Sequence, residues 1–155
     1  MLNNKNRHIL IATAQDILEQ SIKDWEKGAN NRVVKIIRAS NNRCETKERV
    51  FQEFAAALQF GTYFGWNWDA YEECLCDFFI NPDIDYKLLI TNADYILTQF
   101  PKDLVIFLDI LKCIDEYWQA RETLRFQIIL HTEPSKSTLL REQSEAYGFV
   151  FLQNE

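Results

Sequence analysis

A chain of 155 residues, 47% apolar and 14% aromatic, is long enough for one sizeable core without disulfides or a structural metal, and too hydrophobic for disorder. Four glycines and three prolines leave little room for flexible linkers. The formal net charge of −6 is unremarkable until it is located along the chain, and no stretch approaches the roughly 20 apolar residues of a membrane span.

Ile9, Ala12, Ala14, Ile17, Leu18, Ile22 and Trp25 recur at helical spacing, so residues 9–25 are expected as one amphipathic helix, ended by Gly28 and the Asn30-Asn31 turn. Lys5 and Arg7 ahead of Ile9, Leu10 and Ile11 faintly imitate a signal peptide. The apolar run is short and passes directly into charged sequence, so the expected location is cytoplasmic. The β-branched run 33–39 predicts a strand, and residues 40–43 a polar turn. Val50, Phe51, Phe54, Ala57 and Leu58 predict a helix over 45–60. Gly61 and Gly65 mark a turn. A helix follows over 67–79, stopped by Asn81-Pro82.

Residues 87–91 and 126–130 read as short buried strands, on either side of a long helix over 104–118. A last helix is expected over 138–147 and a final strand over 149–152, for which Tyr147, Phe149 and Phe151 would supply an edge. Strands separated by helices require crossover connections. The expected fold class is therefore α/β, a small, mainly parallel sheet of three to four strands covered by helices, with an added N-terminal helix. No internal repeat or interdomain linker is present, and residues 1–155 read as one domain.

Cys44, Cys74, Cys76 and Cys113 sit at irregular spacings, three of them in apolar runs suited to a buried thiol. The only close pair, Cys74 and Cys76, lacks the spacing of zinc or redox sites, so neither a metal nor another cofactor is expected. Trp25 and Trp118 are assigned to the core.

The net charge is concentrated in one place. Between residues 60 and 85 lie Asp69, Glu72, Glu73, Asp77, Asp83 and Asp85 and no Lys or Arg, while the flanking segments cancel each other. Such a segment repels nucleic acid phosphates and anionic lipid and attracts a basic protein surface. On a helical wheel Asp69, Glu72, Glu73, Cys76 and Asp77 share one arc of about 140°. Ala70, Tyr71, Cys74, Leu75, Phe78, Phe79 and Trp68 fill the rest. A solvated structural face would alternate its signs, because like charges one turn apart destabilise a helix. Tyr63, Phe64, Trp66 and Trp68 crowd beside this face, as aromatic residues do at protein recognition surfaces.

Here Tyr63-Phe64-Gly65-x-Asn67-Trp68-Asp69-Ala70-Tyr71-x-x-Cys74-Leu75 resembles, without a gap, the motif of the barstar family of ribonuclease inhibitors. The resemblance extends by order of elements over about residues 33–131. It leaves an N-terminal helical extension, 1–32, and a C-terminal extension, 132–155. It implies a non-enzymatic, toxin-neutralising immunity protein that plugs the basic active site of an extracellular-type ribonuclease or ribonuclease toxin. An acidic helix and the aromatic loop before it would form the plug. Tyr63 matches the family's contact tyrosine and Asp69 an interface aspartate. Glu73 falls where the central phosphate-mimicking aspartate lies, while Glu72 and Phe78 replace contact aromatics. The candidate partner-binding residues are thus Tyr63, Gly65, Trp66, Asn67, Asp69, Glu72, Glu73 and Cys76, with Glu116 or Asp115 of the later helix as a further contact.

Catalysis is the rival reading, but the acids lack an opposing ligand or nucleophile, and the two histidines, His8 and His131, are far apart in sequence. There is no nucleophile elbow or glycine-rich phosphate loop. The alternative that survives is a non-inhibitory protein-binding or regulatory module on the same fold.

Overall fold

Among the described residues, aliphatic and β-branched runs bounded by polar turns form five strands. The computed structural model describes residues 9–12, 15–27, 31–120, 125–133 and 139–152. In chain order they form β1 (Ile9–Ala12), α1 (Gln15–Glu26), β2 (Arg32–Arg38), α2 (Lys47–Leu58), α3 (Trp68–Phe78) and β3 (Asp85–Thr91). A 3-10 turn (Ala93–Tyr95), α4 (Pro101–Gln119), β4 (Arg125–His131), α5 (Leu139–Ala146) and β5 (Val150–Leu152) follow. Every pairing is parallel, in the spatial order β2-β3-β4-β1-β5.

The expected helix-covered parallel sheet is present, but it is wider than three to four strands. β2, β3 and β4 come from the middle of the chain, and the two extensions each add a strand. Residues 9–25 are not one helix. Ile9, Leu10, Ile11 and Ala12 form a continuous apolar run that satisfies either periodicity, and pairing decides: they lie between β4 and β5, with Ile9 and Ile11 wholly buried. The helix begins only at Gln15. The side chain of Trp25 and residues His8 and Thr138 lie outside what is described.

Right-handed crossovers set the layers. The steps β2 to β3, β3 to β4 and β4 to β5 cross the sheet in one direction and place α2, α3, α4 and α5 on one face. The step from β1 to β2 runs the other way and places α1 opposite. The main core lies under the four helices, where Ile9, Ile11, Ile37, Leu88, Ile90, Phe126, Ile128 and Leu130 meet Phe51, Phe54, Tyr71, Phe107 and Leu111. On the α1 face Leu89 and Ile129 are buried, and Arg32, Asp85, Lys87 and Gln127 form a polar ladder. Its links are Arg32–Asp85 at 2.9 Å, Lys87–Asp85 at 3.1 Å and Lys87 Nζ donating to Gln127 Oε1 at 3.0 Å. Burial of the Lys87 ammonium lowers its pKa, against the pull of Asp85.

Two of the thiols differ from expectation in their burial. All four are free. Cys44, in a polar run, is buried, and desolvation followed by the Glu53 carboxylate raises it to about 12. Cys113, in an apolar run, is exposed. No described helix is long and apolar enough to cross a membrane.

The C-terminal extension is clamped onto α4. The Tyr147 hydroxyl donates to the Asp109 carboxylate, and Lys112 Nζ donates to the Tyr147 carbonyl at 2.7 Å. Desolvation and the Asp109 hydrogen bond hold the Tyr147 phenol up at about 12, above its ordinary 10.0. A raised folded-state value means the stabilisation is fully present below the unfolded value and is lost as pH rises through the folded one. Stability is therefore expected to fall from about pH 10 to about pH 12. Tyr147→Phe should show a shallower fall when chemical denaturation is followed across that window.

Candidate functional site

The loop and helix between α2 and β3 are built from aromatic anchors turned inward and polar groups left outside. Thr46 caps α2, its hydroxyl accepting from the Arg49 N–H at 3.2 Å, and Gln59 closes the helix in a left-handed conformation. Phe60 and Phe64 then turn inward, with ring centroids 5.3 Å apart. A Cβ at Gly61 would lie 2.3 Å from the Tyr63 ring, so only glycine lets that ring fold back over the backbone. Trp66, not Gly65, takes the left-handed φ of 51°. That conformation is costly for a bulky residue, and the contact with Phe64 at 4.9 Å holds it.

Asn67 starts α3. Its Oδ1 accepts from the Ala70 N–H at 2.8 Å and its Nδ2 donates to the Gly65 carbonyl at 3.2 Å, so one side chain fixes both the helix and the loop. Asn67→Ala should cost about 1 kcal/mol of stability, read from the midpoint of urea unfolding. The Asn67→Asp variant, which keeps the acceptor, should recover most of it.

Underneath, Phe51 of α2 meets Phe64 at 5.8 Å, Trp68 at 4.9 Å and Tyr71 at 5.9 Å. Trp68 Nε1 donates to Asp103 Oδ1 at 3.2 Å and ties the start of α3 to the start of α4. Tyr71, Cys74 and Leu75 are buried. The Tyr71 phenol is held well above its ordinary pKa by desolvation and then by Cys44.

On this frame Gly65, Asn67, Asp69, Glu73 and Asp77 are exposed, with Tyr63 at 77% and Trp66 at 56%. Glu72 and Cys76 are half-buried, on the α4 side of the helix. The surface continues there. Desolvation raises the Cys113 thiol, and the carboxylates of Glu72 on α3 and of Glu116 and Asp109 on α4 raise it further. Cys74 is raised likewise, by desolvation and then by Asp77 and Glu73.

Of the two later acids, Asp115 is 6% exposed and accepts from Gln119 Nε2 at 3.1 Å, so it does not reach a partner. Glu116 is exposed, 3.7 Å from Lys112. Asp109 carries no sequence signal of its own, because its spacing from Cys113 and Glu116 reads as a solvated face. Among the described residues no group of three or more His, Cys, Asp or Glu side chains could hold a metal ion. His131 is buried at the end of β4, where desolvation lowers its pKa. The arrangement offers carboxylates and aromatic rings for contact.

The model of the family described as Barstar (barnase inhibitor) matches residues 34–131. No curated protein matches the sequence. Among solved structures, a chain in Drosophila ORC bound to DNA is similar with a TM-score of 0.58 and 14% identity, covering 96% of this chain and 79% of that one. A chain in Drosophila ORC bound to GC-rich DNA and Cdc6 gives 0.53 and 17%, covering 96% of this chain, which spans 49% of that chain's length. At such identities the likeness is one of fold.

Proposed function

The chain belongs to the barstar family of barnase inhibitors, and from that premise we propose that it is a protein inhibitor of a basic ribonuclease, acting by binding and without catalysis. The observation that carries this reading is the exposed acidic face of α3, Asp69, Glu73 and Asp77, set beside exposed Tyr63 and Trp66 in a stretch with no Lys or Arg. A nuclease cleft holds Arg, Lys and His⁺ for phosphate. Carboxylates at helical spacing can form charge-assisted hydrogen bonds with those same groups. The partner-binding set is Tyr63, Gly65, Trp66, Asn67, Asp69, Glu72, Glu73 and Cys76, with Glu116 from α4 at its margin.

Within the set the roles differ. Asp69 and Glu73 supply charge, Tyr63 and Trp66 supply contact area, and Gly65 and Asn67 shape the loop. Glu72 and Cys76 line the junction with α4. The partner is a secreted-type ribonuclease or ribonuclease toxin, and inhibition takes place in the cytoplasm, a compartment that suits four free thiols.

The test is inhibition of RNA cleavage by a panel of basic microbial ribonucleases, barnase among them, titrated with the native chain and with Asp69→Ala/Glu73→Ala. Stoichiometric inhibition by the native chain, lost in a double variant that circular dichroism shows to be folded, is the expected result. A folded native chain that inhibits none of them counts against the inhibitor reading and favours a binding module with another partner.

A further inference from the structure

The edge of the sheet formed by β2 has a chemistry of its own, independent of the acidic face. Among the described residues no strand pairs with the outer side of β2, so its backbone donors and acceptors there point outward. Parallel sheets are ordinarily covered on both faces. Val33, Lys35 and Ile37 face α2, whereas Val34 and Ile36 project to the α1 side, 38% and 47% exposed. Leu89, in register beside Ile36, is 1% exposed. The apolar row is therefore covered inward and left open at its outer end.

The surroundings are basic. Residues 32–49 carry Arg32, Lys35, Arg38, Arg43, Lys47 and Arg49 against Glu45 and Glu48. Arg32 is held by Asp85, and Arg49 donates to the Asn42 carbonyl at 2.6 Å. Arg38, Arg43 and Lys47 stand at the surface.

We propose that the β2 edge is a second protein-docking site, which takes an extended acidic segment of a partner as an added strand. The segment's apolar residues rest on Val34 and Ile36, and its carboxylates meet Arg38 and Arg43. Backbone pairing supplies affinity and the alternating side chains supply specificity. A second copy of this chain fits badly: antiparallel pairing of two β2 strands about Lys35 sets Lys35 against Lys35 and Arg32 against Arg38, like charges directly opposite. Single-stranded nucleic acid would want aromatic rings to stack on, and β2 has none.

The probe is a capped peptide of alternating Glu and Val matched to the length of β2, added to the full chain while backbone amide NMR shifts are followed. Saturable shifts confined to β2 and its β3 neighbours are expected, with binding at least about tenfold weaker in Ile36→Ser and in Arg38→Glu. Both variants should still inhibit ribonuclease as the native chain does, because neither position touches α3. The proposal is overturned if the peptide moves no β2 amide, or if the Lys-for-Glu peptide binds as well. It also fails if oligothymidylate binds this edge more tightly than the peptide. A free protein that sediments as a dimer through this edge, dissociated by Ile36→Ser, would make the occupant a second copy instead.

Discussion

Glu73→Ala is expected to weaken the complex with a basic ribonuclease by about 3–5 kcal/mol, roughly 150- to 5,000-fold in Kd. Glu73 is exposed near the middle of α3, so its truncation leaves the free protein's core untouched and the loss falls on the complex. Most of the effect is the cost of stranding desolvated cations in the partner's cleft, which Glu73→Gln should reproduce in part because it keeps the shape and loses the charge. Asp69→Ala should cost less, since Asp69 lies in the first turn of α3, away from the middle of the acidic face. Titration calorimetry or inhibition kinetics at fixed ionic strength reads all three. A change below about 0.5 kcal/mol for Glu73→Ala would move the central contact elsewhere on the face.

The second large effect lies beneath the site. Phe51→Ala should destabilise the fold by about 3–5 kcal/mol, as removal of a buried phenylalanine does. Phe51 is 1% exposed and touches the three aromatic residues that anchor the loop and the start of α3, namely Phe64, Trp68 and Tyr71. Its loss therefore leaves a cavity and also frees the loop that carries Tyr63 and Trp66. Guanidinium unfolding should show the first, and a lower affinity in the population still folded should show the second. Phe51→Leu, which fills much of the volume, should keep most of the stability and lose the aromatic edge contacts. Equal affinity in Phe51→Ala and the native chain would mean that the loop is held by something other than this cluster.

Much of the frame of the candidate site is legible in the sequence. Asn67 ahead of Trp68 is a recognisable cap, and the acids segregate onto one arc, so α3 and its exposed face emerge from local rules. What escaped is what packing decides. Asp115 and Glu116 are neighbours in sequence, yet one is turned into the core and the other out to the surface, because α4 is apolar almost all round and its orientation depends on α3 and α5. Asp109 acquires its partner, the Tyr147 hydroxyl, only when the C-terminal segment packs on α4. Cys44 follows a polar turn and is buried, its carbonyl accepting from the Leu97 N–H at 2.9 Å, a partner that lies far along the chain. The four residues of β1 satisfy helix and strand alike, and only β4 and β5, far along the chain, distinguish the two.

That placement has a temporal side. β2, β3 and β4 follow one another along the chain and can pair in the order in which they are synthesised. β1 is made before all three, yet Ile9 must lie beside Ile128 and Leu10 beside Val150. A strand that waits for partners so distant raises the contact order and slows the last stage of folding. On the ribosome the strand order dictates that β1 joins the sheet only once β4 follows, and its far edge stays unpaired until β5 is made. During that interval an apolar strand is exposed to aggregation or chaperone capture.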